Sequence, residues 1–217
     1  MEPDFWRQRW SEGRIGFHQL QPTTLLLKHW PALGVPQGAR VFVPLCGKSH
    51  DLAWLAGQGH QVLGVELVRE AVEAFFAEHA LAPEVRDTPS GTHYSAGGIE
   101  IVCGDVFALQ PGLVEACDAA FDRAALVALP HPLRRRYIDE VYARLPRGCR
   151  GLLVTLEYDQ AQREGPPFSV DADEVQALSG RDWHIDLLER RPIPPDHPGH
   201  LAGADPLQTA VWRLERR

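Results

Sequence analysis

From residue 40 onward, short apolar runs alternate with amphipathic segments, and this alternation constrains the fold more than any other feature of the chain. The apolar runs predict strands at 40–45, 61–66, 99–103, 118–122, 151–157, 183–188 and 209–214. The amphipathic segments predict helices at 50–58, 68–79, 131–145 and 171–178. Strands that alternate with helices of about 10–15 residues form right-handed crossovers in a parallel sheet. The pattern therefore predicts an α/β fold with a doubly wound, mainly parallel sheet.

The two ends of the chain depart from this alternation. No long helix separates the last two predicted strands, so we expect a hairpin that leaves the edge strand antiparallel. Residues 1–39 contain three of the six tryptophans, a helix-like start and a glycine-rich turn. We expect them to form a helical cover over a sheet core at 40–217, so that residues 1–217 make up a single domain.

Composition excludes several classes of partner. The formal net charge is −7, and binding to a nucleic acid requires clustered lysines and arginines instead. The acidic, aromatic start carries no apolar signal segment, and no apolar run reaches the 18 or more residues that a membrane span needs. We expect a cytoplasmic monomer that acts on a small molecule, without a nucleic-acid or membrane partner.

The four cysteines and ten histidines lack the spacing of a metal site. No cysteine pair has the C-x-x-C arrangement, and Cys46 and Cys103 lie in apolar runs where a free thiol acts as a small hydrophobe. His197 and His200 belong to a loop rich in proline and glycine. We predict a reduced protein that has no bound metal.

The ends of the predicted strands carry the residues with the clearest chemistry, because ligands of open α/β sheets bind outside the carboxyl ends of the strands. Gly47 follows the first strand, and Glu66 ends the second strand 19 residues later. This spacing is typical of Rossmann-like folds that bind a nucleoside, where the carboxylate accepts hydrogen bonds from the ribose hydroxyls. Asp105 follows the third strand and is placed for the adenine amino group, and Arg123 follows the fourth strand.

Simpler roles and other ligands remain open for these residues. Glu66 can cap a strand end, and Asp105 can cap a helix. Gly47-Lys48-Ser49 resembles the end of a phosphate-binding loop, but Phe42 stands where that loop needs a glycine, and the G-x-G-x-x-G fingerprint of dinucleotide sites is absent. The turn better suits a ligand without phosphate, such as the amino-acid end of S-adenosylmethionine. An NAD-type oxidoreductase and a nucleoside-binding protein without catalysis are the alternative functions.

Several motifs identify a resemblance that runs nearly from end to end. They are FWRQRW (5–10), IGFHQ (15–19), VFVPLCGKSHDLAWLAGQGHQVLGVE (41–66), FDRAALVALP (121–130) and GPPF (165–168). In this order they resemble the thiopurine S-methyltransferase family. The resemblance implies a class I methyltransferase sheet with a helical N-terminal cover, and S-adenosylmethionine as the cofactor, leaving S-adenosylhomocysteine as product.

The resemblance also implies roles for single residues. Cofactor contacts fall on Trp6, Trp10, Leu45, Glu66, Asp105, Val106 and Arg123. The acceptor side includes Phe17 and the Pro167–Phe168 part of the GPPF turn, and His18 beside Phe17 is a candidate for a hydrogen bond to the acceptor. Animal members can carry serine at position 105, so the adenine contact there is in part a backbone contact.

The implied acceptor is a thiol, a thiopurine or another aromatic thiol, or a related selenium or tellurium nucleophile of the kind met in tellurite and selenium detoxification. Such nucleophiles need no strong base. Arg123 cannot act as an ordinary base, because its pKa exceeds about 12, but it can stabilise an anionic acceptor or hold a water that takes the proton. The plain alternative for Arg123 is a salt bridge with Asp122 or Glu157. We also expect residues 1 to 20 to form a lid whose order depends on bound ligand. The alternative is a permanently docked helix that completes the core.

Overall fold

The computed structural model describes residues 3–16, 18–197 and 199–217, and in this part of the chain nine strands form one sheet. The strands are β1 Arg40–Pro44, β2 Gln61–Glu66, β3 Glu84–Thr88, β4 Gly91–Ala96, β5 Ile99–Cys103, β6 Ala119–Arg123, β7 Arg150–Glu157, β8 Trp183–Pro192 and β9 Gln208–Arg216. Their order across the sheet is β3-β4-β5-β2-β1-β6-β7-β9-β8. The five central strands, from β5 to β7, are parallel. The predicted doubly wound, mainly parallel sheet is confirmed.

Six α-helices accompany the described strands. They are α1 Pro3–Ser11, α2 Thr24–His29, α3 His50–Gly57, α4 Arg69–Glu78, α5 His131–Glu140 and α6 Ala172–Ser179. The helices predicted after residue 40 lie within a residue or two of their expected positions, except that α5 ends at Glu140 and is followed by a short 3₁₀ turn at Tyr142–Arg144. Asp171 caps α6, as its sequence indicates, by accepting a hydrogen bond from the Glu174 N–H. None of the described helices is long and apolar enough to cross a membrane.

Both edges of the sheet differ from the simple parallel pattern. The β3–β4 hairpin was not predicted, because β3 is polar and largely exposed and has no apolar run to reveal it. At the other edge the predicted hairpin forms, and the last strand is antiparallel. Because β9 lies between β7 and β8, the edge strand is β8, and it runs antiparallel to its neighbour β9.

Two apolar layers enclose the sheet, since successive side chains of a strand point to opposite faces. On β1, Phe42 belongs to one layer, whereas Val41 and Val43 belong to the other. Leu26 and Trp30, from the segment before β1, pack into the layer of Val41 and are almost completely buried. This part of residues 1–39 therefore completes the core, whereas most residues of α1 are exposed or half-buried.

Candidate active site

The turn after β1 brings backbone donors to the carboxyl end of the sheet. Leu45 and Gly47 have φ angles of 46° and 54°, in the left-handed region that glycine adopts at little cost and leucine does not. The Cys46 N–H donates to the Val65 carbonyl of β2 at 3.0 Å, which holds the turn against that strand. A strained residue at a strand end is a common mark of a functional turn.

Glu66 ties this turn to the end of β2. Its Oε2 accepts a hydrogen bond from the Gly47 N–H, and its Oε1 accepts one from the Val68 N–H, both at 2.8 Å. The side chain is buried, and burial raises the pKa of the carboxyl, while the backbone donors partly oppose that rise. An ionised carboxylate has about four lone-pair sites, so these contacts leave it able to accept a hydrogen bond from a ligand.

Asp105 has the helix-capping role that its sequence context allows. Its Oδ1 accepts a hydrogen bond from the Phe107 N–H at 3.0 Å and caps a 3₁₀ turn at Val106–Ala108. The side chain is exposed, and Val106 behind it is buried. The Gly104 N–H donates to the Glu66 backbone carbonyl at 2.9 Å, so this turn and the end of β2 are adjacent.

Arg123 ends β6, and its guanidinium is mostly buried. Nη1 lies 3.9 Å from Oδ2 of Asp51, and burial lowers the pKa of Arg123 while Asp51 raises it. The expected alternatives, ion pairs with Asp122 or Glu157, were wrong, because both carboxylates have other partners. Glu157 pairs with Arg190 at 2.8 Å, and Asp122 accepts hydrogen bonds from two tyrosine hydroxyls and one backbone N–H.

Asp51, in the first turn of α3, is the site residue that sequence reasoning missed. It is 2% exposed. Its Oδ1 accepts a hydrogen bond from the Thr23 N–H at 2.7 Å, and its Oδ2 accepts one from the Ser49 hydroxyl at 2.9 Å. Asp51 thus joins the segment before α2, the turn after β1 and Arg123. The only sequence signal was Ser49-x-Asp51 at a helix start, a pattern that equally describes an ordinary N-cap.

One aromatic residue of α1, Trp10, lies beside the same turn. A Cβ atom added to Gly47 would lie 3.4 Å from a ring carbon of Trp10, so the indole covers the glycine. Trp6 contacts Phe5 edge to face, with ring centroids 5.4 Å apart. Phe17, predicted on the acceptor side, lies outside the described residues.

The GPPF turn is fixed by contacts to the segment that follows Arg123. The Phe168 N–H donates to the Val127 carbonyl, and the Tyr158 hydroxyl donates to the Pro167 carbonyl, both at 2.7 Å. Pro167 and Phe168 are half-buried. The structure therefore connects this turn to the Arg123 end of the site.

His18 contacts a different set of residues. Its ring centroid is 5.6 Å from that of His50, the first residue of α3. Burial and the nearby Lys48 ammonium lower the pKa of His18. Lys48 forms an ion pair with Glu78 of α4, so its ammonium already has an anionic partner.

Comparison with known proteins gives a family for the whole chain. The family model described as thiopurine S-methyltransferase matches residues 1–217. A thiopurine S-methyltransferase of Bordetella parapertussis is 56% identical over 217 residues, covering 100% of this chain and 99% of the relative. One of Xanthomonas campestris pv. campestris is 55% identical over 217 residues, covering 100% of both proteins.

Solved structures extend the likeness to the fold. The 1,6-didemethyltoxoflavin-N1-methyltransferase of Burkholderia thailandensis, solved with S-adenosylhomocysteine, aligns with a TM-score of 0.66 and 18% identity, covering 99% of this chain and 86% of that one. A TehB-like S-adenosylmethionine-dependent methyltransferase of Corynebacterium glutamicum aligns with a TM-score of 0.58 and 14% identity, covering 99% and 98%. At this level of identity the likeness concerns the fold, which is that of class I methyltransferases.

Proposed function

Because the chain belongs to the thiopurine S-methyltransferase family, we propose that this S-adenosylmethionine-dependent methyltransferase transfers its methyl group to a soft nucleophile. The acceptor is a thiopurine or another aromatic thiol, or a related selenium or tellurium compound. The observation that carries the cofactor assignment is the carboxylate of Glu66, buried beneath the turn after β1 and bonded to the Gly47 and Val68 N–H groups. The acceptor class rests on the family match and on the buried Arg123.

The residues at the strand ends fit the cofactor. Glu66 can still accept a hydrogen bond from the ribose hydroxyls, and the single-glycine turn at Leu45–Gly47 suits an amino-acid end better than a pyrophosphate. We assign the adenine to Val106 and the Asp105 backbone, since one oxygen of the Asp105 carboxylate already accepts from Phe107. Trp10 beside Gly47, with Trp6 one helical turn earlier, covers the bound molecule.

S-adenosylmethionine, when bound, supplies an electrophilic methyl group on a positively charged sulfur. The chain's own task is alignment of the acceptor with that group, which in ideal intramolecular cases lowers a barrier by about 7–11 kcal/mol. Phe17, His18, Pro167 and Phe168 are the residues that we assign to the acceptor. The Phe168 side is anchored to Val127, four residues beyond Arg123, so the acceptor surface and the arginine are held together.

Arg123 is the residue to which we assign a catalytic role. Its guanidinium carries five N–H donors, and Asp51 approaches Nη1 at only 3.9 Å, which leaves donors for an anionic acceptor. A buried cation lowers the pKa of a thiol or selenol beside it and so favours the reactive anion. No separate base is then required, because a thiolate is already a strong nucleophile.

We extend the proposal to the cellular compartment and the partners of the enzyme. All four cysteines are free, which suits the reducing cytoplasm, and the net charge of −7 argues against a polyanionic partner. We also propose that it acts as a monomer on a small molecule. Within this setting, methylation of selenium or tellurium compounds would serve their detoxification.

An acceptor screen tests the proposed function. Purified enzyme with methyl-labelled S-adenosylmethionine is offered aromatic thiols, aliphatic thiols, selenite and catechols, with Arg123→Ala as the inactive control. We expect label transfer to the aromatic thiols or the selenium compound, and loss of it in the control. Transfer to catechols alone, or no transfer despite calorimetric binding of the cofactor, would overturn the soft-nucleophile assignment.

A further inference from the structure

Three side chains from separate parts of the chain converge beside the turn after β1. His18 precedes α2, His50 begins α3, and Glu78 ends α4. One ligand-type atom from each of them lies within 4.8 Å of the corresponding atoms of the other two. Both histidines are half-buried, and Glu78 is exposed, so a hydrated cation can reach the group.

A hydrogen-bond chain fixes which nitrogen of His50 is free. Nδ1 of His79 lies 2.8 Å from the Phe75 carbonyl, and because a carbonyl can only accept, this nitrogen carries the proton. Nε2 of a neutral His79 is therefore an acceptor, and Nδ1 of His50, 3.1 Å away, donates to it. Neutral His50 then presents an unprotonated Nε2. A histidine whose other nitrogen donates to a fixed partner is oriented in the way that metal-binding histidines are.

We propose that His18, His50 and Glu78 form a binding site for one Zn²⁺ ion. Two imidazoles and one carboxylate, with an open fourth position, are a familiar zinc ligand set. Ligand atoms about 2.0–2.1 Å from a tetrahedral zinc are roughly 3.4 Å apart, so side-chain rotations of about 1 Å complete the site. This revises the expectation of a protein without a metal site. Because His18 is also assigned to the acceptor side, the test below measures zinc binding and not turnover.

Lys48 opposes the metal. Its ammonium pairs with Oε1 of Glu78, and it also lies close enough to His18 to lower the pKa of that imidazole. Zinc would share the Glu78 carboxylate with Lys48, and repulsion from the ammonium limits the affinity. We therefore expect moderate affinity, with a Kd of about 1 µM.

Zinc at this position would fasten the N-terminal cover to the core. His18 belongs to the cover, whereas His50 and Glu78 belong to helices that flank the turn after β1. The exposed Arg14, four residues before His18, is a natural reporter of that segment because trypsin cleaves after arginine. Bound zinc should slow cleavage after Arg14 in the absence of any cofactor.

The test is calorimetric titration of ZnCl₂ into untagged, chelator-treated full-length enzyme, together with Co²⁺ absorption as a report of tetrahedral ligands. We expect one ion per chain. His50→Ala and Glu78→Gln should each weaken binding at least tenfold, and His79→Phe, which removes the acceptor but keeps the ring against Phe75, should weaken it about 10–100-fold. Lys48→Met should tighten binding about fivefold. The matched control is His184→Ala, an exposed histidine on β8.

Thermal melting before each titration shows whether each variant is folded. If His50→Ala is unstable, the zinc affinities of Glu78→Gln and His79→Phe test the site in its place. The site is established if the wild-type enzyme binds one zinc ion per chain and its zinc affinity falls in the three variants. The affinity should also rise in Lys48→Met and stay unchanged in His184→Ala. Absence of binding by the wild-type enzyme overturns the proposal. So does binding that is unaffected by the three variants, or that is lost with His184.

Discussion

The end of β2 and the GPPF turn both contribute to the candidate site, yet they are held by different kinds of contact. Glu66 is buried, and each of its oxygens accepts from a backbone N–H of a neighbouring turn. Pro167 and Phe168 are half-buried and are anchored through Tyr158 and Val127 to parts of the chain outside the strands. The proposed cofactor side is thus built from the sheet itself, whereas the proposed acceptor side is built from loops, which tolerate change more readily.

The largest effect should come from Glu66→Ala on the cofactor side. The substitution removes a charged acceptor, worth about 1.5–3 kcal/mol, or roughly 10–150-fold in affinity for S-adenosylhomocysteine. It also leaves two buried N–H groups without their partner, so the free energy of unfolding should fall. Calorimetry and urea unfolding measure the two effects, with Glu70→Ala on exposed α4 surface as the control. Unchanged cofactor affinity in a folded Glu66→Ala variant would remove Glu66 from the ribose site.

Arg123→Lys tests the residue that lies between the two sides. An ammonium keeps the charge but lacks the planar fork of donors, so we expect kcat to fall about tenfold with the fold intact. Stopped-flow or steady-state turnover with an aromatic thiol measures it. The charge-preserving control is Arg86→Lys on the exposed strand β3. Turnover at the wild-type rate would limit Arg123 to a structural role.

Asp51→Asn should have an intermediate effect. The amide still accepts from the Thr23 N–H, but the negative charge near Arg123 is lost. We expect the free energy of unfolding to fall by about 1 kcal/mol and the turnover to change severalfold. A double-mutant cycle with Arg123→Lys measures the coupling of the two side chains. Strictly additive effects would show that the 3.9 Å approach of Asp51 carries no energetic coupling.

The smallest effect should come from Phe168→Ala on the acceptor side. Aromatic contacts are worth about 0.5–1.5 kcal/mol, so KM for an aromatic thiol should rise roughly threefold while cofactor affinity stays the same. A panel of aromatic and aliphatic thiols provides the measurement. A loss of cofactor affinity equal to that of Glu66→Ala would erase the distinction between the two sides of the site.

The sequence predicted the central strands and most helices because their apolar residues repeat with the period of a buried strand or of an amphipathic helix. It missed β3, whose polar residues form an exposed edge, and β4, whose buried centre carries Thr92 and His93 in place of an apolar run. Glu66 was singled out because it ends a predicted strand, and Arg123 because it directly follows one. Asp51 and the group of His18, His50 and Glu78 were not, since their partners are distant along the chain and no spacing records such contacts.

The position of β9 in the sheet determines how late during synthesis this edge of the protein can fold. In the described sheet β8 pairs with β9, whereas β7 pairs with β6 and β9. During translation, β8 is therefore synthesised before β9, the strand with which it pairs. β8 can join the sheet only after β9 has been synthesised and has paired between β8 and β7. Folding of this edge is a late event in biosynthesis, and a nascent chain halted within residues 193–207 would expose the unpaired edge of β7 to other chains.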